Sequence, residues 1–561
     1  MADVLPRPVP MTETTGPGAL RRVLTGGGFA NVVELVPWAG ELADARGSKG
    51  LKMAADLAGD PRITALSVTD NAGGHARLAP DALGVPLRDL GHDTIVHIAC
   101  RDRNRNGMSS LGWELLSRGL TTILALTGDY PAPGDKGLPR PVFDIDSVAL
   151  LALLDELGSA AAAKAETDGL PDPGAHTFFL GCAIDPFKRI EADLIPQFLK
   201  LALKRQAGAD YAITQVGYDA RRQDTLLRWM RREGIDMPVI GNAYILSGPV
   251  ARAFNAGKVA GCDVSDDLLA LVEEKAKGPD KGRGFFLEFA AMQLIVSRGL
   301  GFAGMYISGH RDAGEIGKIL EMAEAHPADD WRSLVKDVSW PEPRTFQVFK
   351  GDGAGLNTDD LNPAWERTLS PEARAKARRR VDPVYKVNRL IHGRAFEPGS
   401  PGFNVWKKVY GKVEPTRLDK PLHMLEQAVK VPMFDCRDCG DCSLPDIAYL
   451  CPESHCQKNQ RNGPCGGAKD GMCEVPGHTC LWADAYRRLK PYGEERTMLS
   501  RPIVVQDNDL RRTSAWGNTF LGRDHYGRQE AADAAAAAPA GDAPTPGPGS
   551  EQKPAAEGGK P

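Results

Sequence analysis

Eight short apolar runs recur along the first 310 residues of this 561-residue chain. They are VVELVPW (32–38), ITALSVTD (63–70), TIVHIACRD (94–102), TTILALTGDY (121–130), HTFFLGCAIDP (176–186), DYAITQVGYD (210–219), MPVIGNAYIL (237–246) and GFAGMYISGH (301–310). Most are near-continuously apolar and rich in β-branched residues, as strands buried on both faces must be. Helical patterns lie between them. In IPQFLKLALKRQAG (195–208), Phe198, Leu199, Leu201 and Leu203 fall toward one buried side. Strand and helix alternating eight times predict an α/β fold, a (β/α)8 TIM barrel. An open doubly wound sheet is the rival, but no G-x-G-x-x-G follows the first run, and GDGAG (351–355) reads as a loop after no strand.

In such a barrel the chemistry sits at the C-terminal ends of the strands. Glu34 stands alone among Val32, Val33, Leu35 and Val36. Burial of an unpaired carboxylate raises its pKa, which makes it a general acid near neutral pH; an ion pair with a neighbouring strand is the plainer alternative. Thr69 and Asp70 end the second run, and His97 and Cys100 lie in the third. Thr127, Gly128 and Asp129 end the fourth, and Thr214 and Gln215 sit in the sixth. Each alone is weak: a histidine in an apolar strand is commonly a satisfied core residue, and Asp after Gly is a common turn pair. Together they line a rim that suits a flat, polar-edged ligand such as a flavin or pterin. No Ser–His–Asp arrangement and no His/Asp metal cluster is legible in the barrel.

The remaining chain is organised differently. Residues 1–28 read as an N-terminal arm, 29–326 as the barrel, 327–420 as an extension of unassigned fold, 421–495 as a cysteine-rich unit, and 496–561 as a C-terminal extension. From about 529 the Pro/Ala/Gly composition predicts disorder. A formal charge of −4 leaves no footprint for nucleic acid, and no apolar run approaches the ~20 residues of a membrane helix. The N-terminus lacks the basic and apolar regions of a secretion signal, so a cytoplasmic protein with reduced thiols is expected.

The first 435 residues hold three cysteines and the next 45 hold eight: Cys436, Cys439, Cys442, Cys451, Cys456, Cys465, Cys473 and Cys480. Eight thiols are the complement of two four-thiolate sites. C-x-x-C-x-x-C with the later Cys451-Pro452 suits iron–sulfur ligation, and two four-cysteine zinc sites would use the same thiols. Cys436, Cys439 and Cys442 are expected to share a site. Glycines in NGPCGG (462–467) would let the backbone wrap a cluster and donate N–H groups to its sulfurs.

VVELVPW, LSVTDNAGG, TIVHIAC, ALTGDYP and KRQAGADYAITQ, in this order, resemble the methylenetetrahydrofolate reductase family over residues 29–326. The resemblance implies a flavin-binding (β/α)8 barrel that reduces methylenetetrahydrofolate to methyltetrahydrofolate. On it, Glu34 matches the general acid and Asp129 the carboxylate beside flavin and pterin. Gln215 matches a pterin contact, and Thr69, His97, Thr127, Gly128 and Lys204 fall at flavin contacts. Two positions depart from the pattern: the usual Arg before Gly-Asp is Thr127, and a Tyr-Pro-x-x-His-Pro type loop is GCAIDP (181–186). The first leaves FAD and FMN both open. Residues 421–490 resemble the cysteine-rich C-terminal domain found with certain folate reductases. That resemblance implies two 4Fe–4S clusters exchanging electrons with the flavin, besides or instead of NAD(P)H, and a redox or methyltransferase partner. Assembly as a homo-oligomer is expected. The rivals are a pterin-binding methyltransferase working with a corrinoid partner, and a zinc-stabilised docking module.

Overall fold

The computed structural model describes residues 14–537 apart from 135, 415 and 417. Each of the eight runs contains one strand: β1 Ala30–Leu35, β2 Ala65–Val68, β3 Asp93–Ala99, β4 Thr122–Leu126, β5 Phe179–Ile184, β6 Tyr211–Thr214, β7 Val239–Tyr244 and β8 Gly304–Ser308. All pair in parallel, and β8 pairs back onto β1, so the sheet closes in chain order into a (β/α)8 barrel. The runs look continuously apolar because both strand faces are buried. One face fills the interior with Val32, Ile95, Leu124, Phe179, Tyr211, Ile240 and Tyr306; the other packs beneath the helices.

The N-terminal end of the barrel is plugged. Within the segment read as an arm, the helix Ala19–Thr25 inserts Leu20, Val23 and Leu24 into the interior core, and Leu20 N donates to the buried Asp93 carboxylate at 2.8 Å. Access to the interior is therefore from the C-terminal ends of the strands.

The extension has a fold that the sequence reading left open. A short antiparallel hairpin, β9 Phe349–Gly351 and β10 Asn357–Leu361, is followed by helices Pro363–Thr368, Pro371–Arg378, Pro383–Ala395 and Pro401–Val413. Each of these helices begins with proline just after a capping Asn362, Ser370, Asp382 or Ser400, whose side chain accepts from the first turn. GDGAG is thus the hairpin turn and does follow a strand; β9 buries only Phe349, so it has no alternation to read. The helix His525–Ala537 also runs past residue 529, where disorder was expected. Its alanines have the highest intrinsic helix propensity. Residues 538–561 lie outside the described residues. Among the described residues no helix is long and apolar enough to cross a membrane.

The cysteine-rich segment sits on the barrel and shares its core. Trp482, Tyr486 and Leu489 of the helix Leu481–Leu489 join the cluster that contains Phe198 and Leu201 of the helix Glu191–Gln206. The chain after residue 496 returns to this segment through His525. Its ring nitrogens meet Asp441 at 2.7 Å and Asp446 at 3.0 Å, all three residues being buried. Burial opposes the imidazolium, but Asp446 and Asp441 outweigh it and push His525 up to about 10. His525→Ala leaves two buried carboxylates short of a cation and is expected to cost about 3–5 kcal/mol, read from urea unfolding at pH 7.

Candidate functional site

Glu34 points from β1 into the barrel mouth, in register with Ser67 of β2. Its Oε1 accepts from the Tyr306 hydroxyl of β8 at 3.2 Å. Tyr306 also bonds the Ser67 side chain, and Ser67 Oγ lies 2.8 Å from His97 Nε2 on β3. A buried hydrogen-bonded row thus crosses β1, β8, β2 and β3. Burial pushes the Glu34 carboxyl up to about 7, against the lowering pull of the Tyr306 bond. Burial also lowers His97 to about 3, so at neutral pH it is an uncharged ring. Glu34 opens on a cleft of about 610 Å3 lined also by Trp38, Tyr244 and His310. His310 Nε2 donates to the Glu34 carbonyl at 2.7 Å, which fixes the backbone that carries the acid. The polar partner of the Glu34 carboxyl is a neutral hydroxyl, so the ion-pair alternative does not account for its burial.

The other carboxylates are held at neighbouring strand ends. Asp70 Oδ2 accepts from Ala99 N at 3.0 Å, and burial raises its pKa. Asp129 follows β4; its Oδ2 accepts from Gly73 N at 2.9 Å, and Arg101 Nη1 donates to its carbonyl at 3.1 Å. Gly128 is required by shape, since its φ is 86° and a Cβ there would stand 2.9 Å from the Ala99 Cβ. Gln215, just after β6, accepts from Val216 N at 2.8 Å and lies beside Cys262. Lys204 is buried against β5, its ammonium donating to Ala183 O at 2.5 Å, and burial pulls it down to about 8. The hydroxyls of Thr69 and Thr214 are buried with no hydrogen-bond partner among the described residues. A buried hydroxyl is costly to leave unpaired, so both fit a polar-edged ligand.

The eight clustered cysteines divide into two groups. Cys436, Cys439, Cys442 and Cys451 line one cavity. Cys465 lies within electrostatic reach of Cys456, Cys473 and Cys480. Backbone N–H groups approach sulfur in both: Asp438 N to Cys436, Gln460 N to Cys456 and Gly467 N to Cys465 at 3.4 Å, and Val475 N to Cys473 at 3.5 Å. Buried cations stand beside them, Lys430 3.5 Å from Cys442 Sγ, Arg461 by Cys439, and Lys458 by Cys465. Among the described residues, no three His, Cys, Asp or Glu side chains are drawn together as ligands of a metal ion.

Tyr306 and Ser67 of this row, and His310 beside it, escaped the sequence reading, although all three lie in strand runs that it identified. Alternation from Tyr306 would have placed it inward, but nothing local names its partner 272 residues away.

Residues 45–297 match the family model for methylenetetrahydrofolate reductase, and residues 416–509 match the model described as methylene-tetrahydrofolate reductase C terminal. The barrel is thus similar to the methylenetetrahydrofolate reductase family over most of its length. The 5,10-methylenetetrahydrofolate reductase of Salmonella typhimurium (strain LT2) is 29% identical over 183 residues, 32% of this chain and 53% of that protein. The chain thus spans about half the length of the curated relative it matches. Two solved structures are similar at low identity and low TM-score. One is an uncharacterized Clostridium thermocellum protein that binds two copies of 5-methyl-5,6,7,8-tetrahydrofolic acid (12% identity, 54% of this chain, 97% of that chain, TM-score 0.36). The other is 2,3-dimethylmalate lyase, of the PEP mutase/isocitrate lyase superfamily (13% identity, 56% and 86% coverage, TM-score 0.30). Of the two departures from the reductase-family pattern, Thr127 meets the cysteine-rich segment directly and GCAIDP through its neighbour Lys188. Thr127 Oγ1 donates to Gln460 Oε1 at 3.2 Å. Lys188, paired with Asp185 of GCAIDP, donates to Gly466 O at 2.6 Å and Ala468 O at 2.8 Å.

Proposed function

We propose that this chain is a flavin-dependent oxidoreductase interconverting 5,10-methylenetetrahydrofolate and 5-methyltetrahydrofolate, with electrons passing through two iron–sulfur clusters in its C-terminal domain. The observation that carries the reading is Glu34: a buried carboxyl poised near pH 7, bonded to a neutral hydroxyl, at the mouth of a reductase-family barrel. In the direction of reduction, Glu34 gives its proton to a nitrogen of the methylene bridge, and the bridge opens to an iminium. Tyr306 holds the carboxyl and supports the carboxylate that remains. The Asp129 carboxylate at the rim offsets the cation that develops on the substrate. Gln215 offers an amide to the pterin edge. A bound flavin supplies the hydride chemistry; the unpaired hydroxyls of Thr69 and Thr214 fit a polar-edged ring system there.

The thiols fit clusters by their surroundings. Thiolates bound to iron accept hydrogen bonds but do not donate them, and backbone N–H groups already face four of the eight sulfurs. Lys430, Arg461 and Lys458, buried and paired with Glu426, Glu453 and Glu474, stand beside the thiols and would also face a negatively charged occupant. Cys436, Cys439, Cys442 and Cys451 would hold one cluster, and Cys456, Cys465, Cys473 and Cys480 the other.

The deciding experiment is anaerobic purification with flavin, iron, sulfide and zinc quantified, followed by methyltetrahydrofolate oxidation with an artificial acceptor. Bound flavin with turnover supports the reductase; a colourless protein without turnover sinks it. Within this reading, Tyr306→Phe removes a hydrogen bond that favours the ionised Glu34. Its alkaline pH limb should move up by about 0.5–1 unit, for a bond worth about 1 kcal/mol. An unmoved limb in the pH–rate profile would detach Tyr306 from the acid.

A further inference from the structure

The loop that carries Asp129 is held from both sides. The barrel binds Asp129 itself through Gly73 N and Arg101. Its neighbours are bound by the C-terminal segment. Thr127 Oγ1 donates to Gln460 Oε1 at 3.2 Å, Lys458 Nζ donates to Gly128 O at 2.7 Å, and Tyr130 N donates to Glu474 Oε1 at 2.9 Å. Lys458 and Glu474 pair with each other at 2.5 Å, their side chains only 4% and 9% exposed.

Two of these contacts take up backbone groups past the end of the strand, and the third adds to a longer contact of 3.5 Å between Thr127 Oγ1 and Ser147 Oγ within the barrel. β4 ends at Leu126, so Gly128 C=O and Tyr130 N–H lie beyond the strand, past a left-handed turn at Gly128. Both groups are partly buried, and Lys458 and Glu474 give them partners. The grip is spaced from the second thiol group. Lys458 and Gln460 follow Cys456 by two and four residues, and Glu474 directly follows Cys473. Gln460 N itself approaches Cys456 Sγ. The three side chains thus stand within four residues of Cys456 or directly beside Cys473.

We propose that Lys458, Gln460 and Glu474 are positioning residues for Asp129, so that the second thiol group holds the barrel's catalytic loop in its working shape. This adds a mechanical role to the thiol group, separate from any passage of electrons. Its effect on turnover rests on the reductase reading above, whereas its effect on the loop does not. The physical basis is precision. A carboxylate that offsets charge on a bound substrate must stay fixed, and a misplacement of about 1 Å can cost about 10²-fold in rate.

The test uses the full-length protein purified anaerobically, with iron measured in each preparation. Lys458→Met and Glu474→Ala are expected to raise hydrogen exchange at the Tyr130 amide by about tenfold or more. With a small carrier that accepts electrons at the flavin, so that the clusters are bypassed, kcat should fall by about 10–100-fold. KM for the folate should stay within about threefold. Lys458→Arg, which keeps a donor for Gly128 O, should recover most of the loss. Chelation of metal from the wild-type protein should raise Tyr130 exchange in the same way. Tyr130 protection unchanged in Lys458→Met and Glu474→Ala overturns the proposal, as does an unchanged kcat with the small carrier. Should either variant fold poorly, Glu474→Gln keeps the acceptor for Tyr130 N and removes the ion pair alone; a kcat loss rescued by no conservative change would also count against it. If the protein lacks reductase turnover, the reductase reading fails, and the exchange measurements still decide the proposal.

Discussion

Glu34→Gln is expected to lower folate turnover by about 10³-fold while flavin remains bound at the wild-type ratio. General acid catalysis contributes roughly 10²–10⁴-fold, and glutamine keeps the size and the Tyr306 contact while losing the proton. The same substitution should stabilise the fold at alkaline pH. Burial raises Glu34 from the ordinary carboxylate value to about 7. The folded state therefore binds this proton more tightly than the unfolded chain. The resulting stability is fully present below about pH 4.5 and is lost as pH rises through about 7. At pH 8 the wild-type protein carries a buried carboxylate that the variant lacks. Glu34 keeps a partly exposed edge, so the gain is put at about 1–3 kcal/mol rather than the full shift. Urea unfolding of both proteins at pH 4.5 and pH 8 checks the sign, because the difference should appear only at the higher pH. Equal turnover would remove Glu34 as the acid. Equal stability at pH 8 would mean that water or a partner already compensates its charge.

Much of this arrangement is legible before any coordinates, and the limits follow from what strands and loops reveal. The eight runs announce the barrel because parallel strands under helices are apolar on both faces, which leaves a continuous signal. Glu34 stands out against that background for the same reason. The C-x-x-C-x-x-C spacing groups Cys436, Cys439 and Cys442, since two intervening residues bring thiols to one cavity. The partition of the other five is a matter of tertiary closure, and no spacing rule assigns Cys451 to the first group rather than the second. The extension illustrates a different case. Its four capped, proline-initiated helices follow rules that can be read locally, yet their largely exposed faces lack the apolar period that would have drawn attention to them. The grip of Lys458 on Gly128 is invisible in sequence because its partners lie 330 residues apart.

The second large effect concerns the thiols, and two single substitutions separate their roles. The wild-type chain purified anaerobically should carry about eight irons, and Cys439→Ala and Cys465→Ala about four each. Cys439 belongs to the group beside Lys430 and the helix Asp419–Phe434; Cys465 belongs to the group whose neighbours Lys458 and Lys204 reach the barrel. On the proposed reading the first group would pass electrons toward a protein carrier, and among the described residues none of its four cysteines bonds the loop that carries Asp129. Cys439→Ala should therefore abolish turnover with a protein carrier and preserve most of it with a small acceptor that reacts at the flavin. Cys465→Ala should impair both, since its group also holds Lys458, Gln460 and Glu474 in place. Two zincs with no acid-labile sulfide would remove the electron route while leaving the positioning role intact, because a closed four-cysteine zinc site fixes its loops just as firmly. In that case Cys439→Ala would lower stability with little effect on turnover, and Cys465→Ala would still lower kcat. The asymmetry between the two variants follows from where the cysteines stand relative to the barrel, and it holds for either metal.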